Sequence, residues 1–402
     1  LRKCAENNEA ARVGILFNPF APEVRQNPYP YYKRLRQDSP VAETAQRGIR
    51  VVSRYDDVVS MLGRPDLFSS SIMLRADAAL LGTDPPAHTR TRRIVNRAFT
   101  AQQVASLEGD IRAIADGMVR RISSLGEFDL MSELAVPLPM IVIAEILGIE
   151  TGKLEEFKRW SEAVVVNATG TSGSLPRSQI QSSLREFEAF FDGMIGERKA
   201  TPGEDLVSAL LSSETPEDAL DSRQVLDVCK LLLIAGNETT TNLIGNAVLA
   251  LLRNQGELDK VTANPALVPA LVEETLRYDA PVQFLNRITT QEAELSGVSI
   301  PARAVVMSII GSANRDERKF EDPDRFDVAR NPRDHLAFGH GAHFCLGAPL
   351  ARLEARTSLQ ALLPLLPRLR AADNQLERVE LVDSTQLRGP KRLRLAVKEA
   401  QH

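Results

Sequence analysis

The run from Gln224 to Arg253 constrains the fold more than any other part of the chain. It reads as one helix of about 30 residues, roughly 45 Å long at about 1.5 Å per residue. It is apolar almost all round, so it is expected to cross the interior rather than lie on a surface. Other helices then have to wrap against it, and the periodicity supplies them. Val104, Leu107, Ile111, Ile114, Met118 and Ile122 recur at three and four within Val104 to Ser123. Lys153 to Val166, Ser178 to Lys199, Val268 to Tyr278 and Leu346 to Leu363 read as further helices. Leu134 to Ile149 is the most apolar stretch. It is too short to span a bilayer and holds two prolines and Glu145, which predicts a buried helix with a kinked start.

Strand-like pieces are few: Ile49 to Val52, Asn286 to Thr289, Val305 to Ile310 and Leu393 to Val397. Residues 311–337 read as a meandering coil, and the Gly/Ser-rich 167–178 as a loop able to serve as a lid. The expected class is mainly α: a helical body with small peripheral β-sheets, integrated as one domain over 1–402, with a flexible arm at 1–14. Leu1 stands where a start Met would, which suggests a trimmed chain.

Hydrophobic residues at 43% and charged residues at 25% exclude disorder as the main state. The 49 basic against 53 acidic residues leave a net charge of −4, which argues against a nucleic-acid partner. Cys4, Cys229 and Cys345 are sparse and far apart, unlike a disulfide scaffold and suited to a reducing cytoplasm. No secretory signal or membrane anchor is visible.

The chemistry concentrates in Phe338-Gly-His-Gly-Ala-His-Phe-Cys345-Leu-Gly347. Gly339 and Gly341 allow a tight turn, and Gly347 allows close approach of the backbone to something flat. Cys345 then precedes a helix N-terminus, where the dipole and free N–H groups favour a thiolate. A thiolate among backbone donors is what an axial haem ligand needs. A zinc site from His335, His340, His343 and Cys345 is the rival, but the spacing matches no common structural site.

This segment resembles the haem-binding loop of the cytochrome P450 family, Phe-x-x-Gly-x-Arg/His-x-Cys-x-Gly, in every fixed position, with His343 at the Arg/His place. Further motifs of the family follow in order over about residues 15–400. The resemblance makes Cys345 the iron ligand, with Phe338 shielding the sulfur.

The long helix carries Ala235-Gly-Asn-Glu238-Thr239-Thr240, polar groups that are costly in an apolar helix unless paired. Thr239 is expected to bond back to the Ala235 carbonyl, with Gly236 easing a bend. An acid beside a hydroxyl also passes protons into a dry site, and the resemblance gives Glu238 and Thr239 that catalytic role. Asn242 and Asn246 could bond water there. Glu274 and Arg277 lie at i, i+3 and can meet on one face. The resemblance implies a buried supporting network completed by Arg325. Asp84 is read as the cap of the following helix, which carries His88 and Arg92 on one face. The resemblance gives His88, Arg92, Arg287 and His343 to the haem propionates, and sets Ala235, Gly339 and Gly347 against the ring.

By the same resemblance, substrate meets Asp66 to Thr83, Val164 to Leu175, Leu232, Ala235, Val282 to Leu285, and Ser384 to Leu387, including Thr385. The expected activity is a haem-thiolate monooxygenase using haem b and O2 to hydroxylate or epoxidise a lipophilic small molecule. A polyketide or macrolide is favoured, with a terpenoid, steroid or fatty acid as the alternative. No nucleotide fingerprint is visible, so electrons from NAD(P)H are expected through a ferredoxin and its reductase. These would dock on Arg93, Arg97, Arg352 and Arg356. A cytoplasmic monomer is expected. The acid–hydroxyl pair argues against a peroxide-driven enzyme and against a haem sensor without catalysis.

Overall fold

The computed structural model describes residues 17–45, 48–72, 80–169, 176–212, 219–372 and 376–398. The arm at 1–14 with Cys4, part of the expected lid and part of the first pocket segment lie outside them.

The central helix runs Ser222–Arg253, 32 residues. Its start is fixed by a reciprocal cap: Asp221 accepts from the Gln224 N–H at 2.8 Å, and the Gln224 side chain accepts from the Asp221 N–H at 3.0 Å. Its two halves belong to different cores. Val225 to Leu233 pack with helices Pro137–Leu147, Leu154–Thr169 and Arg177–Ala200. Leu243 to Leu251 pack with helices Glu108–Ser123, Val268–Tyr278 and Ala348–Leu362. Each fully buried Leu or Val here stabilises by about 1.5–3 kcal/mol. Gly245 permits a close approach: a Cβ there would lie 2.7 Å from Pro390 Cγ and 2.8 Å from the Met131 sulfur.

Met131–Ala135 forms a π-helical turn leading into Pro137–Leu147, the kinked start expected of that apolar stretch, and Gly148 ends it at φ +77. The Val104–Ser123 period divides in two. Helix Ala101–Ser106 starts at a Thr100–Gln103 capping box, Leu107 turns at φ −76, ψ −9, and Glu108–Ser123 follows. Helical periodicity survives such a one-residue hinge, which is why the break does not show in the pattern.

A five-stranded sheet takes the order Val41–Glu43, Ile49–Val52, Val305–Ser308, Leu285–Thr289, Phe68–Ser69. Ile49–Val52 and Val305–Ser308 pair in parallel; the other neighbours are antiparallel. The strand expected to reach Ile310 stops at Ser308, because the chain turns into the short helix Ile310–Ala313. Glu127–Asp129, Arg394–Val397 and Leu369–Ala371 make a second sheet, and Ala293–Leu295 with Val298–Ile300 a hairpin. No helix among the described residues is long and apolar enough to cross a membrane.

Candidate functional site

The cysteine loop is folded back on itself. The Cys345 N–H donates to the Phe338 carbonyl at 2.8 Å, and Gly339 and Gly341 make the turn at φ +73 and +71. A Cβ at Gly341 would meet the Leu62 carbonyl oxygen at 2.8 Å, so only glycine suits that position. Helix Ala348–Leu362 starts directly after Gly347, and the N–H groups of Gly347 and Ala348 point at the sulfur. Burial pushes the Cys345 thiol up, while those N–H groups and the charges of Arg92 and Arg352 draw it back. Yet the residue is exposed, as is the neighbouring Phe344. A side chain both exposed and desolvated lines an enclosed space rather than the outer surface. Space is open beside Gly347 as well.

The same enclosure explains the middle of the central helix. Ala235 and Gly236 are exposed although the helix is buried on both sides of them. The Thr239 hydroxyl donates to the Ala235 carbonyl at 2.6 Å, as expected. Burial alone raises the Glu238 carboxyl above its ordinary value. Asn246 bonds the Asp279 and Arg388 carbonyls at 2.9 and 3.1 Å, so its amide ties elements together instead of facing the space.

Hydrogen-bond donors of two histidines and two arginines gather near the thiol. The His88 and His343 rings lie 4.0 Å apart between centroids, and His343 Nε2 is 3.0 Å from the Ser70 hydroxyl. His88 is 1% exposed, and neither ring nitrogen has a partner among the described residues. Among the described residues, buried Arg287 bonds one acceptor, its neighbour's carbonyl Asn286 O, at 2.8 Å. Burial lowers His88, and so does the charge of Arg92; burial takes His343 down to about 4, helped by His88 and Arg287. Arg92 also acts on Cys345. Four buried or half-buried donors without adequate acceptors are costly unless an anion completes them. A flat group with two carboxylates and a metal for the sulfur fits this set.

Asp84 does not cap the helix Ala87–Ala98, contrary to expectation. Its carboxylate accepts from the Ser70 N–H at 2.9 Å and the Ser69 hydroxyl at 2.5 Å, and its charge acts on Arg287 and His343. Ser70, inside the expected pocket segment Asp66 to Thr83, instead meets His343, a pairing that only the fold brings about. His335 turns to Glu273 at 3.1 Å, away from His343, and no three His, Cys, Asp or Glu among the described residues are arranged to hold a metal ion.

The supporting network is fully buried at Glu274 and Arg277, joined at 2.8 Å. Its third cation is Arg330, not Arg325. Arg330 Nε lies 3.3 Å from Glu274, whereas the Arg325 side chain is exposed and pairs with Asp327. Arg325 contributes only its carbonyl, to Arg277 at 3.1 Å. The loop turns after Phe326 and presents the later arginine.

The proposed basic face is largely neutralised. Arg352 holds Glu273 at 2.7 and 2.8 Å, with its guanidinium 4.5 Å from the centre of the Phe338 ring; Arg356 pairs with Glu108 at 3.0 Å. Arg93 and Arg97 have partners too. Of the pocket residues, Val282 bridges to Leu387, Leu285 lies 3.8 Å from the Cβ position of Gly339, and Leu232 packs beside Leu346 on one core. Thr385 departs from this group: it lines a cavity of about 220 Å³ with Phe17, Tyr32 and Phe284, which none of the other four lines. The Ser384 hydroxyl sets that turn by accepting from the Gln386 and Leu387 N–H groups.

Comparison with known proteins points the same way as the donor set. The family model described as "Cytochrome P450" matches residues 174–366. Cytochrome P450 109 of Bacillus spizizenii is 40% identical over 370 residues, 91% of this chain and 91% of the relative. The structure of CYP109Q5 from Chondromyces apiculatus superposes with a TM-score of 0.87 at 40% identity, covering 95% of this chain and 98% of that one. CYP109E1 from Bacillus megaterium in complex with testosterone gives 0.85 at 34% identity, covering 93% and 100%.

Proposed function

We propose, on the premise that this chain belongs to the cytochrome P450 family and is a cytochrome P450 monooxygenase, that it carries haem b on Cys345 and oxidises a lipophilic secondary metabolite. One atom of O2 enters a C–H bond or an alkene. The observation that carries this reading is the desolvated thiol of Cys345, acted on by Arg92, together with the buried His88, whose ring nitrogens have no partner among the described residues. His88, Arg92, Arg287 and His343 would hold the two propionates, and Phe338, Gly339, Gly347 and Ala235 would flank the ring.

When bound, the haem supplies the reductive cleavage of O2 and the oxidising power for the substrate. The chain's own residues supply a stabilised sulfur, a dry space and protons. The Gly347 and Ala348 N–H groups offset the desolvation of a negative sulfur. Glu238, raised by burial, keeps its proton to higher pH than an exposed carboxyl would. Thr239 stands beside it and passes that proton inward, taking the catalytic role of a relay. The overall balance is RH + O2 + NAD(P)H + H+ giving ROH + H2O + NAD(P)+.

Family membership implies a separate redox partner, and we propose a ferredoxin with its reductase. An acidic ferredoxin docking at Arg352 and Arg356 would compete with Glu273 and Glu108 for them. The favoured substrate is a polyketide or macrolide, contacted by Leu232, Ala235, Val282 and Leu285. A steroid is the second reading, favoured by the testosterone held by CYP109E1. We place the protein in the cytoplasm as a monomer, with the whole chain acting as one haem domain.

The test is the spectrum of the dithionite-reduced, carbon monoxide-bound protein. A strongly red-shifted Soret band is expected, lost in Cys345→Ser. A histidine-type band in the natural protein, or an unchanged band in the variant, overturns the ligand assignment. Panels of macrolides and steroids are then compared by spin-state shift and by product formed with NADH, ferredoxin and reductase. Shifts without turnover would refute the catalytic reading.

A further inference from the structure

The cavity of about 220 Å³ that Thr385 lines is apart from the space around Cys345. Its apolar walls are Phe17, Tyr32, Phe284 and Met307, which are buried together in one core. The partition between the two spaces is one strand thick. Phe284 lines the cavity, while the next residue, Leu285, lies 3.8 Å from the Cβ position of Gly339 in the cysteine loop. Consecutive residues of an extended chain point to opposite sides, so the two spaces stand back to back. Apolar walls with a few polar groups among them are what a small-molecule site presents.

The charged groups that line the cavity are each matched. Arg388, 9% exposed, bonds Asp279 at 2.8 Å and the Arg25 and Gln26 carbonyls at 3.0 and 3.3 Å. Glu380 pairs with Lys391 at 2.7 Å, and Arg25 pairs with Asp383. The last pair leaves donors over. A guanidinium has five N–H groups. Among the described residues the Arg25 side chain makes its one bond through Nη2, to Asp383, and its Nε is buried with no partner. A buried donor left unmade is costly, and a neutral acceptor would complete it. A carboxylate there would also meet the negative charge of Asp383.

We infer that this cavity is a second small-molecule site, for an uncharged, mainly apolar molecule whose one carbonyl-type oxygen accepts from Arg25. Size narrows the class further. A cavity of about 150 Å³ takes benzene, so this one takes a single ring with a short side chain. Phe17, Tyr32, Phe284 and Met307 hold the ring, and the guanidinium of Arg25 holds the oxygen. The site does not depend on the role proposed for Cys345.

The experiment is a magnetic-resonance titration of the reduced, carbon monoxide-bound holoprotein, labelled with carbon-13 at its methionine methyls. Met307→Leu assigns the Met307 signal. Acetophenone is expected to move that signal to saturation and to show a nuclear Overhauser contact between its ring and the Met307 methyl. Thr385→Phe, which puts a ring into the cavity, is expected to abolish both. Ethylbenzene, which lacks the oxygen, should bind about two- to tenfold more weakly than acetophenone, the margin of one hydrogen bond. Arg25→Met should erase that margin without harm to the fold, because the pair with Asp383 is partly exposed. Benzoate should bind more weakly than acetophenone. No contact with Met307, or one that survives unchanged in folded Thr385→Phe, overturns the site. A margin over ethylbenzene that persists in Arg25→Met, or benzoate binding tighter than acetophenone, overturns the ligand class.

Discussion

Replacing the arginines around Glu274 one at a time gives a graded test of how the core is held behind the cysteine loop. Arg330 reaches Glu274 at 3.3 Å and the carbonyls of Glu321, Asp322 and Arg325 at 2.6, 3.2 and 3.4 Å. Hydrogen bonds to a charged group are each worth about 1.5–3 kcal/mol, but Glu274 keeps Arg277, so Arg330→Met should cost about 3 kcal/mol in all. Unfolding entropy of about 2.1 cal/mol/K per residue gives roughly 0.8 kcal/mol/K for a chain of 402 residues. The thermal midpoint should thus fall by about 4 °C. Arg277→Met breaks a fully buried pair, costing about 3–5 kcal/mol. It also strands the carbonyls of Asn314, Pro323 and Arg325, which Arg277 reaches at 3.0, 2.8 and 3.1 Å. A fall of about 8 °C is expected. Arg325→Met should leave the midpoint where it is, because its side chain is exposed and its carbonyl remains. Scanning calorimetry of the three holoproteins decides. A drop in Arg325→Met equal to that in Arg330→Met would refute the pairing and the reasoning from it.

Three further outcomes are expected. Burial pushes Glu273 up, but bonds from Arg352 and His335 outweigh it and hold it at about 2. Its folded value is below its ordinary one, so it stabilises fully above about pH 4.5 and that contribution is lost as pH falls toward 2. Glu273→Gln should be less stable than the natural protein at pH 7 and equally stable near pH 2 in urea titrations; a gap that persists in acid counts against this account. His88→Leu should bind haem more weakly, measured by transfer to apomyoglobin, yet leave the haem-free protein as stable or about 1 kcal/mol more so, because two orphaned nitrogens go. Loss of stability without haem would contradict it. Gly341→Ala places a Cβ in a left-handed backbone against the Leu62 carbonyl, so it should cost at least about 1–2 kcal/mol and loosen haem; an unchanged midpoint would show that the turn is not needed.

What could be read from the sequence was whatever is encoded locally. The apolar run from Gln224 has no other reading than an interior helix, although the helix starts two residues earlier, at Ser222, behind the Asp221 cap. The Thr239–Ala235 bond is likewise an i, i−4 matter. Glycine spacing before Cys345 dictated a turn. Failures came where two residues of one type compete for a distant partner. Arg325 and Arg330 lie in the same loop, and only the path after Phe326 selects the second. Asp84 is a good cap by type, but Ser69 and Ser70 reach it first across a strand end. Arg352 and Arg356 look free on their helix until Glu273 and Glu108 arrive from others.

The parallel pairing of Ile49–Val52 with Val305–Ser308 has a consequence for how the protein is made. The early strand leaves the ribosome with no neighbour on that side until most of the chain has followed. During that interval it presents an unpaired edge, the kind of surface on which nascent chains associate wrongly. Leu285, on the next strand, touches the cysteine loop, so the walls around Cys345 meet only after the sheet has closed. If Cys345 takes haem as proposed, the walls of its site are complete only late in synthesis, and chaperone supply before that point would bear on how much holoprotein forms.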